Sequence, residues 1–325
     1  MPKALITCMH LQRHFAKFRA EFDAVGVEPV LPPIPGQQFD AEDMERLLPG
    51  MDSIIAGDDA ITREAIAAAK AKGLRAVIKW GIGTDGIDKV AAAELGIPVY
   101  NTPGVFGDEV ADLGMAYLLS LLRGLHRMDA SVRQGGWLKV EGRSLSGLVA
   151  GVVGLGSIGR AVARRCAAFG MEVIGSDEQP IDALTLEGAQ AKQVPFTTLL
   201  SRADVVLIAC NLTATNRHLF NEEAFAQMKR GSYLVNVARG PLVKESALIA
   251  ALQSGHLAGA GLDVFEVEPL PEDSPLKAME NVVLGTHNGS NTVDAVNRVN
   301  RMTVDILFDV LGVRKIEGWT PNRVA

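Results

Sequence analysis

The stretch LVAGVVGLGSIGRAVARRCAAFGMEVIGSD, residues 148–177, constrains the chain more than any other. Val149, Val152 and Val153 form a β-branched run that ends directly in Gly154, Gly156 and Gly159, spaced G-x-G-x-x-G. A helical pattern follows, with Ala161, Val162, Cys166 and Phe169 on one stripe, and a second apolar run then closes on Asp177. In this strand–turn–helix setting each glycine has its own reason. Gly154 permits the tight turn, Gly156 lets a pyrophosphate approach the backbone, and Gly159 lets the helix pack closely on the sheet. Unpaired amides and the dipole at the helix start favour phosphate charge. The spacing alone also occurs in turns that hold no ligand, but Asp177 stands 18 residues beyond Gly159, where an acidic ribose ligand is expected. A carboxylate there accepts the adenosine ribose hydroxyls and repels a 2′-phosphate, and no Lys or Arg follows before Lys192. The expected cofactor is NAD rather than NADP.

Around this unit, two alternations of strand and helix run along the chain. In the first, residues 4–7, 53–57, 76–79 and 98–100 read as buried strands, and 14–23, 41–48, 62–72 and 89–95 carry helical spacing. The second opens with a long helix over 108–123. Strands recur at 149–153, 172–175, 205–209, 232–236, 258–262 and 281–284, and a helix is expected over 293–310. Such alternation produces parallel sheets with helices on both faces, and 325 residues suffice for two domains.

Composition narrows the partners. With 48% hydrophobic and 22% charged residues and a net charge of −6, the chain reads as globular, with no expected nucleic-acid or anionic-membrane partner. Its first residues break their short apolar run at His10 and Gln12, unlike a signal peptide, and no run approaches the ~18 apolar residues of a membrane helix. Three scattered cysteines, Cys8, Cys166 and Cys210, suggest neither a disulfide framework nor a metal site, so a cytoplasmic protein is expected.

Three further segments each follow an expected strand, at the ligand edge of a parallel sheet. They are LVNVARGPLV (234–243), GAGLDVFEVEPLP (259–271) and VVLGTHNGSNT (282–292), which supply Arg239, then Asp263, Glu266 and Glu268, then His287. A fixed cation, a carboxylate and an imidazole beside a dinucleotide suit reduction of a carbonyl next to a carboxylate. Arg binds the carboxylate bidentately. His gives a proton to the carbonyl oxygen, and a neighbouring carboxylate favours its charged form. Taken singly, His287 and Arg239 also fit structural roles.

With WGIGTDGID, GIPVYNTPG, LSGLVAGVVGLGSIG, NVARGPLV, LDVFEVEP and THNGSNT in order, nearly the whole chain resembles the D-isomer-specific 2-hydroxyacid dehydrogenases. The resemblance implies two doubly wound parallel-sheet α/β domains. A Rossmann NAD-binding domain, 102–287, is inserted into a flavodoxin-like substrate-binding domain, 1–101 with 288–325. It also implies a homodimer and a small anionic 2-hydroxy or 2-keto acid substrate, of the 3-phosphoglycerate or glyoxylate/hydroxypyruvate type. Arg239 matches the substrate-binding arginine, His287 the proton donor and Glu268 its carboxylate partner. Asp263 resembles the residue that orients the nicotinamide carboxamide. Ser157 and Ile158 match pyrophosphate contacts, and Cys210, Val237 and Gly289 line the cofactor. The amides of Ile82 and Gly83 resemble the loop that grips the substrate carboxylate. Lys79 matches a basic position of phosphoglycerate members, the alternative being a lysine at a strand end facing water. An NAD(H)-sensing protein of the corepressor type, with little or no turnover, shares the fold and stands as the second reading.

Two residues depart from the family pattern: Thr286 where Pro is common before the histidine, and Asn288 where an apolar residue is frequent. Both alter the surroundings of His287, through its pose or through a polar contact to substrate. Glu266 is expected to be the structural or solvated member of its pair. Trp80 and Trp137 are expected in the core, the alternative being a place at the border of the substrate cleft, and Arg160, Arg164 and Arg165 on a solvated helix face.

Overall fold

Apolar runs too short for helices become parallel strands in the computed structural model, which describes residues 1–36 and 38–325. The chain forms two units, Met1–Val105 with Thr292–Ala325, and Phe106–Asn291. In the first, β1 (Lys3–Ile6), α1 (Met9–His14), α2 (Arg19–Val25) and β2 (Glu28–Val30) lead into α3 (Ala41–Leu47) and β3 (Ser53–Ala56). Next come α4 (Arg63–Lys70), β4 (Ala76–Lys79), α5 (Lys89–Glu94) and β5 (Val99–Asn101). Every residue of β3 and β4 is buried, as expected of central strands covered on both faces. Helices α3, α4 and α5 begin where Asp40, Thr62 and Asp88 accept the amides of Asp43, Ala65 and Ala91.

The single helix expected over 14–23 is instead α1, a 3₁₀ turn at Phe15–Lys17 and then α2. Tertiary packing overrides the helical spacing here. Phe15 meets Phe22 edge-on at 5.0 Å, and Phe22 meets Phe308 in the same way at 5.0 Å. Strand β2, which was not expected, carries Pro29 and lies at the sheet edge, where a missing amide donor is tolerated.

The second unit opens with α6 (Gly107–Arg123) and α7 (Leu125–Arg133). It continues through β6 (Val149–Val153), α8 (Ser157–Ala168), β7 (Glu172–Ser176), α9 (Ala183–Ala189), β8 (Lys192–Gln193), α10 (Phe196–Arg202) and β9 (Val205–Ile208). Then follow α11 (Glu222–Gln227), β10 (Ser232–Asn236), α12 (Glu245–Gln253), β11 (Leu257–Leu262) and β12 (Val282–Leu284). All neighbours in its seven-stranded sheet, ordered β12-β11-β10-β9-β6-β7-β8, are parallel. The order reverses at β6, with β7 on one side and β9 on the other, and ligands bind at the carboxyl ends of strands around such a switch point. Helix α6 packs along α8, and Arg165 bonds Asp112 at 2.7 Å and Asp108 at 3.1 Å. That corrects the expectation of a purely solvated basic face, because α6 places two carboxylates opposite it.

The chain then returns to the first unit. Helix α13 (Val293–Val310) starts at Thr292, whose hydroxyl accepts the Ala295 amide, and buries Val299, Ile306, Leu307 and Phe308. The last strand, β13 (Asn322–Arg323), pairs antiparallel with β5. The sheet of this unit is ordered β13-β5-β4-β3-β1-β2, and its parallel part has the flavodoxin-like order.

Candidate active site

The glycine turn is held from both sides. Gly154 has φ 90°, and a Cβ there would lie 2.6 Å from Cys210 Cα. A Cβ on Gly159 would run into the carbonyl oxygen of Gly154, so α8 approaches β6 only without a side chain. Gly156 differs. It is exposed, and nothing lies within 4 Å of a Cβ built there. Ser157 and Ile158 open α8, where first-turn amides have no intrahelical acceptor. Asp177 follows β7 and accepts the Leu155 amide at 2.7 Å and the Gln179 amide at 3.1 Å. Its carboxylate therefore braces the turn from the neighbouring strand. A tight turn with open backbone at a helix start, and a carboxylate beside it, fits the pyrophosphate and ribose of NAD. Cys210 closes the far wall; burial pushes its thiol up to about 11, which makes it a packing group rather than a nucleophile. Val237 is 7% exposed and packs beside Gly114 of α6.

Strands β10, β11 and β12 are neighbours, so the loops at their carboxyl ends meet. Asn236, fully buried at the end of β10, ties the first loop: its side chain donates to the Arg239 carbonyl at 3.0 Å and accepts the Ala238 amide at 3.0 Å. A Cβ on Gly240 would collide with the Phe265 carbonyl, so that glycine lets the Arg239 loop lie against the loop after β11. Within the second loop the Phe265 amide donates to Glu268 Oε1 at 2.9 Å. The other oxygen, Glu268 Oε2, faces His287 Nδ1 of the third loop at 2.8 Å. Both side chains are about a fifth to a quarter exposed, dry enough to strengthen their pairing and open enough to meet a small molecule. Glu266 faces elsewhere: it binds His218 Nε2 at 2.6 Å and the Glu245 amide at 2.8 Å, a structural role.

Asp263, at the end of β11, is 1% exposed. Its carboxylate accepts the Asn288 amide at 3.1 Å, the Gly289 amide at 2.9 Å and the Tyr117 hydroxyl at 3.0 Å. Its carbonyl accepts the His287 amide at 2.6 Å. Sequence reading missed Tyr117, Asn236 and Gly240. The signal for Tyr117 was a polar-tipped aromatic in the otherwise aliphatic stripe of α6, since a buried phenol needs a partner. The side-chain oxygen of Asn288 accepts Asn291 Nδ2 at 2.7 Å, a contact within its own loop.

Lys79, Ile82 and Gly83 lie at the carboxyl end of β4 in the first unit. Lys79 does not face water. It is 6% exposed, donates to the Trp80 carbonyl at 2.8 Å and pairs with Asp58 at 3.0 Å. The following loop is tied by Asn101 Nδ2 donating to the Ile82 carbonyl at 2.8 Å. Trp80 is buried, stacked on His10 at 4.6 Å and bonded to Asn300 at 2.7 Å. Trp137, expected in the core, is 82% exposed. It lies in a segment, 134–148, without regular structure to carry it inward.

Residues 115–289 match the model of the D-isomer specific 2-hydroxyacid dehydrogenase NAD-binding domain. The chain is 36% identical to a hydroxypyruvate reductase of Thermotoga maritima over 287 residues, 86% of this chain and 91% of that one. It is 39% identical to a glyoxylate reductase of Korarchaeum cryptofilum over 256 residues, 77% and 76% of the two chains. A D-lactate dehydrogenase from Aquifex aeolicus, solved with NAD and lactic acid, superposes with TM-score 0.83 at 27% identity, over 95% of this chain and 96% of that one. With its glycine turn, its sheet order and these likenesses, the chain belongs to the D-isomer-specific 2-hydroxyacid dehydrogenases and is an NAD-dependent enzyme of that family.

Proposed function

We propose that the protein reduces a short, unphosphorylated 2-keto acid of the glyoxylate/hydroxypyruvate type to the D-2-hydroxy acid. The observation that carries the reading is the pair of Glu268 Oε2 and His287 Nδ1 at 2.8 Å, on the two loops that follow the one carrying Arg239. Bound NADH supplies the hydride that reaches C2. Arg239 binds the substrate carboxylate through its planar fork and sets C2 in place. Glu268 orients the imidazole and stabilises its cationic form, so that Nε2 gives its proton to the carbonyl oxygen as negative charge develops there. Gly154, Gly156, Ser157, Ile158, Gly159 and Asp177 hold the dinucleotide, with Cys210, Val237, Asp263 and Gly289 along its path.

We also assign the amides of Ile82 and Gly83 to substrate binding, in a substrate-binding domain that we take as 1–101 with 288–325. Lys79 argues against a phosphate on the substrate, because Asp58 already matches its charge at 3.0 Å. The similarity to a hydroxypyruvate reductase and a glyoxylate reductase supports the same choice. We assign a homodimer and a cytoplasmic setting to the enzyme; among the described residues no helix is long and apolar enough to cross a membrane.

Steady-state NADH oxidation is measured against glyoxylate, hydroxypyruvate, pyruvate and 3-phosphohydroxypyruvate. The first two are expected to have the highest kcat/KM. Arg239→Ala and His287→Ala should each lose roughly 10²–10⁴-fold in kcat/KM with the best of these acids. A preference for the phosphorylated acid contradicts the substrate assignment. NADH binding with no turnover of any acid contradicts the catalytic reading in favour of an NAD(H) sensor.

A further inference from the structure

Three successive amides, those of His287, Asn288 and Gly289, converge on one residue, donating to Asp263 O, Oδ1 and Oδ2 at 2.6, 3.1 and 2.9 Å. His287 itself holds φ 54°, a left-handed conformation that side-chain-bearing residues enter only when their surroundings impose it. Asp263 imposes it here, filling a backbone nest with its carboxylate as the anion. At 1% exposure that carboxylate has little water to complete its shell, and each further donor decides how firmly it sits.

The further donor is Tyr117 of α6, itself 6% exposed, whose hydroxyl lies 3.0 Å from Asp263 Oδ1. Its ring reaches this spot only because two facing positions have no side chain. A Cβ on Gly261 would lie 2.7 Å from Tyr117 Cβ, and one on Gly285 would run into the hydroxyl oxygen itself. Glycine on β11 and glycine just after β12 thus form a slot for one phenol. Burial, then the Asp263 charge and the hydrogen bond to it, raise the Tyr117 hydroxyl above its ordinary range, so it remains a donor.

We infer that Tyr117 is a positioning residue for the proton-donating turn: its hydroxyl braces Asp263, and Asp263 holds the turn that presents His287 to Glu268. The inference rests on the reading of His287 as proton donor given above. A ring that merely filled space would do so equally well as phenylalanine. Tyr117→Phe keeps the ring and removes the one bond.

Tyr117→Phe is compared with the wild-type enzyme on the best 2-keto acid found, with NADH affinity measured separately by fluorescence titration. kcat is expected to fall about tenfold, the worth of one hydrogen bond to a charged acceptor, while KM and the NADH Kd stay within about twofold. Hydrogen exchange at the Asn288 and Gly289 amides, read without substrate, should quicken by about tenfold in Tyr117→Phe. Unchanged exchange, or a kcat within about twofold of wild type, overturns the inference. If the wild-type protein turns over no 2-keto acid, the functional reading falls, and the exchange rates still decide whether Tyr117 braces the turn.

Discussion

Asp177 shows how one side chain serves two ends. In the structure its carboxylate accepts the amides of Leu155 and Gln179, fixing the glycine turn. We propose that the same group receives the ribose hydroxyls of NAD. Asp177→Ala should therefore weaken NADH binding and narrow the preference for NADH over NADPH. The ratio of kcat/KM for the two coenzymes measures this, with a change of roughly tenfold or more expected for loss of a charged hydrogen bond and a like-charge repulsion. An unchanged ratio would place coenzyme choice on another residue. Some residue-scale facts were legible in the chain itself. Gly154, Gly156 and Gly159 announce their roles because turn geometry is local. Lys79 was not legible, since burial beside Asp58 depends on a strand end and a loop 21 residues apart in sequence.

At the scale of elements, β6, its turn and α8 act as one piece. Gly159 sits on α8 with the Gly154 carbonyl in the place of its missing Cβ, so any side chain there pushes α8 off the strand. Gly159→Ala is expected to cost about 1–3 kcal/mol, the usual range for overpacking, and to weaken NADH binding by more than tenfold as the helix start leaves the turn. Denaturant midpoints and NADH titration check the two effects separately. The apolar stripe of α8 is buried, whereas α7 carries Leu125, Met128 and Val132 at helical spacing and buries none of them. The short β8 and β13, each two residues long, were invisible because their existence depends on neighbours already in place. The split of the helix expected over 14–23 belongs to the same class, decided by Phe308 on a segment nearly 300 residues away.

Over the whole molecule, chain ends must be tied to the unit they leave and re-enter. Glu21 of α2 bonds Arg301 of α13 at 2.6 Å and Arg314 just beyond it at 2.9 Å. Partial burial pushes its carboxyl up, but these bonds and the two positive charges outweigh it and hold the group below the ordinary range. A carboxylate depressed in the folded state adds stability that is complete above its unfolded value and disappears as pH falls through the folded one. The unfolding temperature should therefore decline below about pH 4.3. Glu21→Gln should be less stable at neutral pH and lose less in acid; thermal melts between neutral pH and acid test both. The sequence by itself determined the class of fold, the nucleotide turn and the three strand-end segments, because periodicity and turn chemistry act over a few residues. The family resemblance already implied the pairing of Glu268 with His287; only the tertiary structure decided that Asp263 gathers three amides of the turn beyond β12, and that Tyr117 fits between two glycines to reach it. Those contacts join residues far apart in the chain, and no local rule of spacing selects them. They exist because parallel strands set distant loops side by side.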